Sequence, residues 1–341
     1  MADSITDPSL LIATPILHGY DGSPYAQKAV LYLQLKGIKW AYHKTSPMMP
    51  RPHLTPDLSG GYRRIPILQI GADIYCDSNC IIRELEKRFP TPALGTSGEH
   101  EGLSYALHLW SDKFFAVVVN LSSRRPGVPD AFYKDREELN GVSMTAEALA
   151  ANHPRARDQF RAHLNFLETQ LAHSKTVWVL GTEKPHLADV QCWTPVRFAA
   201  MYGMAADIFN ETNYPAIFRW YTQLASLGFP SSSPLQVPPA PLVSGEVAYA
   251  AAELASRGGS FAPSLGADLK DANGRKVGDA VGVIPDDQAV LGRGPVLKGT
   301  LDGSSADTIS IRWKNPHGIY VVIHFPRSGY YIVDAEVEAS I

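Results

Sequence analysis

The chain has 341 residues, 45% of them hydrophobic and 19% charged, a composition typical of a globular protein with two or three domains. A formal net charge of -3 gives no electrostatic case for binding to nucleic acid or anionic membranes. Three cysteines are too few for a disulfide framework, no apolar run has the length of a membrane span, and the acidic amino terminus is unlike a signal peptide. We therefore expect a cytoplasmic protein.

The amino-terminal part of the chain alternates between strand-like and helix-like segments. One helix ends at Gly37, a loop rich in proline occupies residues 46–62, and a second helix ends before Pro90. The predicted elements are Pro15–Leu17, Pro24–Lys36, Gly37–Tyr42, Pro66–Ile70, Ile74–Cys76 and Ser78–Phe89. This β-α-β, loop, β-β-α order predicts an α/β thioredoxin-like domain over residues 1–92.

From residue 99 to residue 228 the periodicity is helical throughout. One apolar stripe steps by three and four positions, at Leu103, Leu107, Trp110, Phe114, Val117 and Leu121. The segment Ala188–Met201 is apolar on nearly every side, which indicates a helix at the centre of a bundle, and Asn213–Leu227 closes the region. We predict an all-α helical bundle domain over residues 99–228.

Prolines then interrupt the chain at residues 229–242, which we interpret as a semi-rigid linker. An alanine-rich helix is predicted at Ser244–Arg257. Five β-rich runs follow, separated by turn residues: Lys276–Ile284, Val296–Leu301, Thr308–Trp313, Ile319–Phe325 and Tyr330–Val333. This spacing predicts a helix plus a small β-barrel-like module over residues 243–341, and the excess of acidic residues there argues against oligonucleotide binding.

Three short segments of the first domain combine into one candidate site. Ser23-Pro24 has the residue types of a helix cap and first helical position, and a helix amino terminus favours an anion. In a thioredoxin-like sheet the Ile65-Pro66 peptide bond is expected to be cis, which turns the backbone of Ile65 towards an extended thiol peptide. Asp77-Ser78, at a strand-to-helix turn, suits the ammonium and carboxylate of an amino acid.

Residues 15–228 resemble a glutathione transferase, and the β-rich region beyond them lies outside that family's usual layout. The resemblance rests on Ser23-Pro-Tyr-Ala, Arg64-Ile-Pro-Ile-Leu, Asp77-Ser78 followed by Ile81-Ile-Arg-Glu-Leu, and Leu187-Ala-Asp-Val. It implies that Asp77 and Ser78 bind the γ-glutamyl end of glutathione. It also implies that the backbone of Ile65, held by Pro66, binds the cysteinyl part and that Arg64 lies near the glycyl carboxylate.

The residue that faces the glutathione sulfur decides the chemistry. Family members with cysteine at the position of Ser23 form mixed disulfides, which a serine cannot do. The Ser23 hydroxyl can instead donate a hydrogen bond to the sulfur, and this bond and the helix dipole favour the thiolate. Tyr20 is the competing donor, because some classes of the family use a tyrosine near the end of the first strand. Ser23 also suits the simpler role of a helix cap.

The resemblance therefore implies a glutathione transferase in which a hydroxyl-stabilised thiolate attacks a small apolar electrophile. Glutathione is then the cosubstrate, and a homodimer is the expected assembly. Two alternatives stay open: a glutathione-dependent isomerase or lyase, and a non-catalytic scaffold built on the transferase fold. The spacing of cysteine and histidine indicates no metal site, and the sequence has no glycine-rich nucleotide motif.

Several other conspicuous residues have a structural interpretation. Buried structural thiols are expected at Cys76, Cys80 and Cys192. Solvated loop positions are expected for three basic residues, although a glycyl carboxylate is another possible partner for each: Lys44, Arg51 and His53. At the start of the buried helix His186 stands three residues before Asp189 in place of the usual Ser or Thr, so we expect a weaker cap. The stripe at Trp110, Phe114 and Val118 is expected to be core, with one or two residues lining an apolar pocket that faces the sulfur.

Overall fold

The computed structural model describes residues 4–95, 98–229 and 240–335. Its strands are β1 (Ser4–Ile5), β2 (Ile16–Gly19), β3 (Ala41–Lys44), β4 (Ile67–Ile70), β5 (Asp73–Cys76), β6 (Leu242–Val243), β7 (Ala280–Pro285), β8 (Leu297–Ser304), β9 (Thr308–Lys314), β10 (Tyr320–Pro326) and β11 (Tyr330–Asp334). Its α-helices are α1 (Pro24–Leu35), α2 (Ser78–Arg88), α3 (Glu101–Val119), α4 (Asp130–Asn140), α5 (Ala146–His173), α6 (Leu187–Met201), α7 (Pro215–Gly228), α8 (Gly245–Arg257) and α9 (Asp286–Val290).

The chain divides into two compact units. The first contains the chain up to Ser23, the segment Lys39–Glu84 and the carboxy-terminal region. The second contains Pro24–Ile38 and the chain from Leu85 to the linker. All the strands named above therefore belong to the first unit, and the helices α1 and α3 to α7 belong to the second.

The strands of the first unit form one sheet in the order β1-β6-β3-β2-β4-β5-β10-β9-β8-β7-β11. Its centre is thioredoxin-like: β2 runs parallel to β3 and antiparallel to β4, and β4 runs antiparallel to β5. Every residue of β2, β4 and β5 is buried, which explains why the sequence shows short apolar runs here instead of an alternating pattern. The predicted thioredoxin-like fold is confirmed.

The carboxy-terminal region pairs with both edges of this central sheet. At one edge Leu242 of β6 pairs with Tyr42 of β3, and the Tyr42 N–H donates to the Pro241 carbonyl at 2.8 Å. At the other edge β10 runs parallel to β5, with His324 opposite Tyr75. Because an edge strand exposes unpaired backbone groups, these pairings satisfy donors and acceptors that the central strands leave open.

The predicted carboxy-terminal β-rich module is confirmed as the five-stranded antiparallel run β10-β9-β8-β7-β11. The predicted helix is α8, and Ser244 caps it by accepting from the Val247 N–H at 3.2 Å. Of the predicted linker, residues 230–239 lie outside the described residues. Leu242, which we assigned to the linker, belongs to β6 instead, because the β3 edge offers it a backbone partner.

Two apolar cores join the carboxy-terminal region to the central strands. The larger, the β5-side core, consists of Leu54, Leu58, Tyr62, Ile67, Ile74 and Cys76 together with Ala252, Val281, Val283, Leu297, Leu301, Ile309, Ile311, Ile319, Val321, Ile323, Phe325 and Tyr330. The smaller, the β3-side core, consists of Leu11, Ile16, Ala41, Val243, Ala248 and Ala251. Each core draws on both ends of the sequence, so these amino-terminal residues are buried together with residues of the carboxy-terminal region.

The strand that we predicted at Gly37–Tyr42 begins later, at Ala41. After α1, the Gly37 N–H donates to the Gln34 carbonyl and the Ile38 N–H donates to the Leu33 carbonyl, both at 3.0 Å. Gly37 has a φ of 64°, so these bonds form a Schellman motif that closes the helix. The motif takes up the residues that the apolar pattern had assigned to the strand.

The second unit is the predicted helical bundle. The helix α6 packs against α1, α3 and α7, while α5 packs against α3 and α7. Most of α6 is buried, including Trp193, as the apolar sequence predicts. Within the residues that the structure describes, no helix is both long and apolar enough to cross a membrane.

The start of α6 is held by Asp189 instead of by the imidazole of His186. Asp189 Oδ2 accepts from the His186 N–H at 2.8 Å, and Oδ1 accepts from the Val179 N–H at 2.9 Å and from Trp220 Nε1 at 2.8 Å. Burial raises the pKa of Asp189 to about 6, and these hydrogen bonds oppose that shift. One half of the expected capping box is thus present, supplied by the carboxylate.

Candidate functional site

Three strand ends meet at one end of the central sheet and bring the predicted site residues together. His18 near the end of β2 lies opposite Ile67, the first residue of β4, and Ile67 lies opposite Cys76, the last residue of β5. The segments just beyond these positions carry the predicted residues: Tyr20 and Ser23, Arg64 to Pro66, and Asp77-Ser78. Strand ends that are about fifty positions apart in the sequence, at His18 and Ile67, therefore lie side by side.

The segment after β2 is a tight turn. The Ser23 N–H donates to the Tyr20 carbonyl at 2.9 Å, and the Thr45 N–H donates to the Gly19 carbonyl at 2.8 Å. Lys44 Nζ lies 2.6 Å from Asp21 Oδ2, a contact that ties the end of β3 to this turn. Ser23 is buried and Tyr20 is half-buried, and the first residue of α1 follows Ser23 directly. Both candidate hydroxyl donors are thus in a backbone segment with a defined conformation.

The Ile65-Pro66 peptide bond is cis, as predicted from the sequence. The loop before it is held by Arg51, whose Nε donates to the Ser46 carbonyl at 2.7 Å and whose Nη2 donates to the Pro47 carbonyl at 3.0 Å. Arg51 Nη1 donates to the carbonyl of Arg63. Our interpretation of Arg51 as a solvated loop residue was therefore wrong: its buried guanidinium is used by backbone carbonyls that loop geometry leaves without partners.

Asp77 has an unusual backbone conformation at the turn between β5 and α2. Its φ is 76°, a region that L-residues other than Asn and Asp seldom adopt. Asp77 Oδ1 accepts from the Asn79 N–H at 2.8 Å, which caps α2, and Ser78 is the first residue of the helix. Strained backbone of this kind is concentrated at functional sites, where it aims a side chain.

The carboxy-terminal region also reaches this site. The Tyr330 hydroxyl donates to Asp77 Oδ2 at 3.3 Å and lies 3.0 Å from the Tyr62 hydroxyl. Both tyrosines are buried, and burial raises the pKa of each phenol well above its ordinary value. The pair therefore stays neutral, and Tyr330 acts as a hydrogen-bond donor to the carboxylate.

A second contact from the same region involves Arg64. Its Nη2 lies 2.6 Å from Asp287 Oδ1 and 2.5 Å from Oδ2. The pair is partly exposed, with 28% of the Arg64 side chain and 52% of the Asp287 side chain accessible to solvent. Sequence reasoning identified neither Tyr330 nor Asp287, because no motif surrounds them and each is more than two hundred residues from its partner.

A pair of imidazoles, His18 buried and His43 half-buried, lies in the strands next to the site. His18 Nδ1 is 2.8 Å from His43 Nδ1, and His18 Nε2 is 3.0 Å from Gln69 Oε1. Gln69 Nε2 donates to the Ala248 carbonyl at 2.8 Å, so its oxygen accepts from His18 Nε2 and leaves His18 Nδ1 as the acceptor from His43. Burial lowers the pKa of His18 well below its ordinary value and lowers that of His43 to about 4.

The expected buried thiols are present. All three cysteines are free and buried. In the second unit, Leu103, Leu107 and Trp110 of α3 line a pocket of about 320 Å³ with residues of α5 and α6. Only the later part of the α3 stripe is core, because Leu103 is 51% exposed whereas Phe114 is fully buried.

The comparisons with known proteins agree with this architecture. Residues 17–93 match the glutathione S-transferase amino-terminal domain, and residues 127–227 match a domain of unknown function, DUF7962. None of the curated proteins matches the chain. A GST-like protein from Pseudomonas syringae is 27% identical with a TM-score of 0.71, and the match covers 94% of this chain and 99% of that one. Coverage of that extent includes the carboxy-terminal strands.

Two other solved structures are similar over a shorter part of the chain. A glutathione S-transferase from Rhodospirillum rubrum is 18% identical with a TM-score of 0.49, covering 66% of this chain and 96% of that one. The glutathione transferase URE2P6 from Phanerochaete chrysosporium, in complex with oxidized glutathione, is 16% identical with a TM-score of 0.47, covering 63% of this chain and 91% of that one.

Proposed function

We propose that this glutathione-transferase-like protein binds glutathione and joins it through its thiol sulfur to a small apolar electrophile. The observation that carries the proposal is the meeting of the three strand ends, which groups Ser23 and Tyr20 with the cis Ile65-Pro66 bond and with Asp77-Ser78. A thiol peptide with an amino acid at one end needs these three kinds of partner within one ligand length. Glutathione is the cosubstrate in this proposal.

Each part of the ligand has a proposed partner. The backbone of Ile65 pairs with the cysteinyl segment as an added strand. The Asp77 carboxylate takes the γ-glutamyl ammonium, and the Ser78 hydroxyl with the amino terminus of α2 takes the carboxylate beside it. Arg64 lies near the glycyl carboxylate. Asp77 supports this role because its rare φ and its cap to Asn79 fix the direction of the carboxylate.

The chemical step starts from the thiolate. A hydroxyl, from Ser23 or from Tyr20, donates a hydrogen bond to the sulfur and lowers the thiol pKa, so that the proton leaves to solvent. A sulfur electron pair then forms a C–S bond with the electrophilic carbon, and the displaced pair leaves with the leaving group or takes up a proton. The hydroxyl is not consumed, and a disulfide with the protein does not form.

The thiolate itself provides the test, because its ultraviolet absorbance can be followed without any electrophile. The pH titration of glutathione bound to the full chain is expected to give a thiol pKa below that of free glutathione. Ser23→Ala or Tyr20→Phe, whichever removes the donor, should raise that pKa by about one unit with little change in glutathione affinity. Ser226→Ala, an exposed serine of α7, and Tyr331→Phe, an exposed tyrosine of β11, are matched controls that should change nothing.

Different results would contradict different parts of the proposal. If the chain does not bind glutathione, the whole proposal fails. If both site variants titrate as the wild type does, hydroxyl stabilisation fails while glutathione binding stands. Incubation with a panel of electrophiles then separates the chemistries, since a transferase consumes glutathione whereas an isomerase or lyase regenerates it. Binding without turnover of any electrophile would favour a non-catalytic scaffold.

We propose a homodimer on the basis of the same family resemblance. The chain has a mass of 37.2 kDa, so sedimentation equilibrium should give twice that value. A monomeric mass across the micromolar range would refute the dimer and would leave the proposal for glutathione binding unchanged.

A further inference from the structure

The contact between Arg64 and Asp287 brings a carboxylate of the protein itself to the candidate ligand site. Arg64 directly precedes the cis Ile65-Pro66 bond, and Asp287 belongs to α9, more than two hundred residues later. Both carboxylate oxygens of Asp287 lie within 2.6 Å of Arg64 Nη2. Arg64, the basic residue next to Ile65 in the sequence, therefore already has an anionic partner from the protein.

The position of Asp287 is set by the β-rich region and not by the ion pair alone. The Asp286 N–H donates to the Gly329 carbonyl at 3.0 Å, and the Asp287 N–H donates to Asp286 Oδ1 at 2.7 Å. Tyr330, the next residue after Gly329, pairs with Pro285 in the β7–β11 ladder. The β7–β11 pair thus holds the first turn of α9, with Asp287, next to Tyr330 of β11, so that the contacts to Arg64 and Asp77 come from neighbouring elements.

The Arg64 end of the contact is equally constrained. The carbonyl of Arg63 accepts from the buried Arg51 guanidinium, and Pro66 fixes the backbone on the other side. Backbone contacts thus hold both sides of the pair, and in this arrangement the Asp287 carboxylate lies directly on the Arg64 guanidinium. A carboxylate that approaches Arg64 meets a charge that is partly neutralised, and it meets a like charge beside it.

We infer that Asp287 is a specificity-determining residue that competes with the glycyl carboxylate of the ligand for Arg64. This inference rests on the proposed binding of glutathione. It states that the wild-type site gains little from a carboxylate at the glycyl end, so thiol peptides in which that end is an ester or amide bind about as well as glutathione. Removal of the Asp287 charge should convert the site into one that prefers the free carboxylate.

The experiment compares two ligands on the full chain by isothermal titration calorimetry. The ligands are glutathione and its glycyl monoethyl ester, which lacks only the glycyl carboxylate charge. In Asp287→Asn we expect glutathione to bind roughly two- to fivefold more tightly, because a partly exposed ion pair changes an affinity by about this factor. The ester should bind to this variant as it does to the wild type.

The chain offers a closely matched control in the pair formed by Arg83 of α2 and Asp307. Their side chains are 3.2 Å apart, and their exposures of 26% and 58% resemble those of Arg64 and Asp287. Asp307→Asn removes the same charge from the same β-rich region without affecting Arg64. Neither ligand should bind differently to this variant, which separates a local effect from a change in net charge.

Three outcomes would overturn the inference. In the first, Asp287→Asn binds glutathione as the wild type does or more weakly, which would make Asp287 a support for Arg64 instead of a competitor. In the second, Asp287→Asn binds both ligands more tightly by the same factor, or Asp307→Asn also binds glutathione more tightly than the wild type does. In the third, neither ligand binds to the wild type or to any variant, and then the proposed function fails together with the inference.

Discussion

The two edges of the central sheet are covered by the same carboxy-terminal region. The two covers differ in size and in the side chains that they place at the candidate site. At the β3 edge the cover is β6, which is two residues long and packs into the small β3-side core. At the β5 edge the cover is β10 with four further strands and the larger β5-side core. This second cover also brings Tyr330 to Asp77 and Asp287 to Arg64.

The difference has a physical reason. An edge that only needs backbone partners is satisfied by a short strand, since each pairing requires only a few residues. A cover that positions side chains needs a core of its own, because a side chain stays in one place only when its strand is packed on the other face. The β-rich module therefore shares a compact unit with the thioredoxin-like strands, and two of its residues contact residues of the candidate site.

The largest expected effect is that of removing both covers at once. A chain that ends at residue 229 lacks both edge pairings and exposes the central residues of both cores, including Ile67 and Ile16. We expect it to be insoluble or to lack a cooperative unfolding transition, because the exposed apolar surface and open edges favour aggregation. Circular dichroism with thermal melting and size-exclusion chromatography would check this. A monodisperse fragment that unfolds cooperatively would contradict the role of the covers.

A second prediction concerns how the free energy of unfolding depends on pH through His43, which lies in β3 at the edge covered by β6. In the folded state the pKa of His43 is lowered to about 4, mainly by burial, whereas an unfolded histidine has a pKa near 6.5. Between these values the unfolded chain binds more protons, so the stabilisation is complete above pH 6.5 and is lost as the pH falls towards 4. The loss attributable to His43 is about 3 kcal/mol.

Urea titrations at pH 7 and pH 4.5 would measure this loss as a difference in the free energy of unfolding. Between these two pH values, the free energy of unfolding of His43→Gln should fall by less than that of the wild type. His173→Gln, which changes an exposed histidine of α5, is the control and should lose as much as the wild type. An equal loss in His43→Gln and the wild type would refute the assignment of the acid sensitivity to the imidazole pair.

The smallest expected effect is a difference between two identical substitutions. Val321→Ala in β10 removes two methyl groups from the β5-side core and should cost about 2–3 kcal/mol of unfolding free energy. Val243→Ala in β6 removes the same atoms from the β3-side core and should cost about 1–2 kcal/mol, because a small core at the end of a short strand relaxes more easily. Urea unfolding at neutral pH measures both. A cost at Val243 equal to or above that at Val321 would remove the distinction between the two edges.

Much of the candidate site could be predicted from the sequence, because its signals are local. A Ser-Pro helix start, an Ile-Pro before a strand and an Asp-Ser after one are each recognisable within a few residues. The strands of the carboxy-terminal region were predictable for the same reason, since turn residues separate them: the predicted Thr308–Trp313 is β9 within one residue.

The residues that sequence reasoning missed or misread depend on contacts between distant segments. In the sequence, Arg51 does not differ from any other basic loop residue. Only the folded loop brings backbone carbonyls within hydrogen-bond distance of its guanidinium. Tyr330 is one of fifteen tyrosines, and only the pairing of β10 with β5 gives it a partner at Asp77. Parallel pairing between strands more than two hundred residues apart has no local sequence signal.

The sequence by itself determined the order of the elements, the thioredoxin-like and helical architecture, and the residues of the three strand ends, since helix caps, turns and apolar periodicity act over a few positions. Only the tertiary structure decided that the carboxy-terminal strands continue the central sheet and that Asp287 and Tyr330 reach Arg64 and Asp77. The physical reason is that an open sheet edge accepts any strand whose core can be buried beside it, and which strand does so depends on the packing of the whole unit.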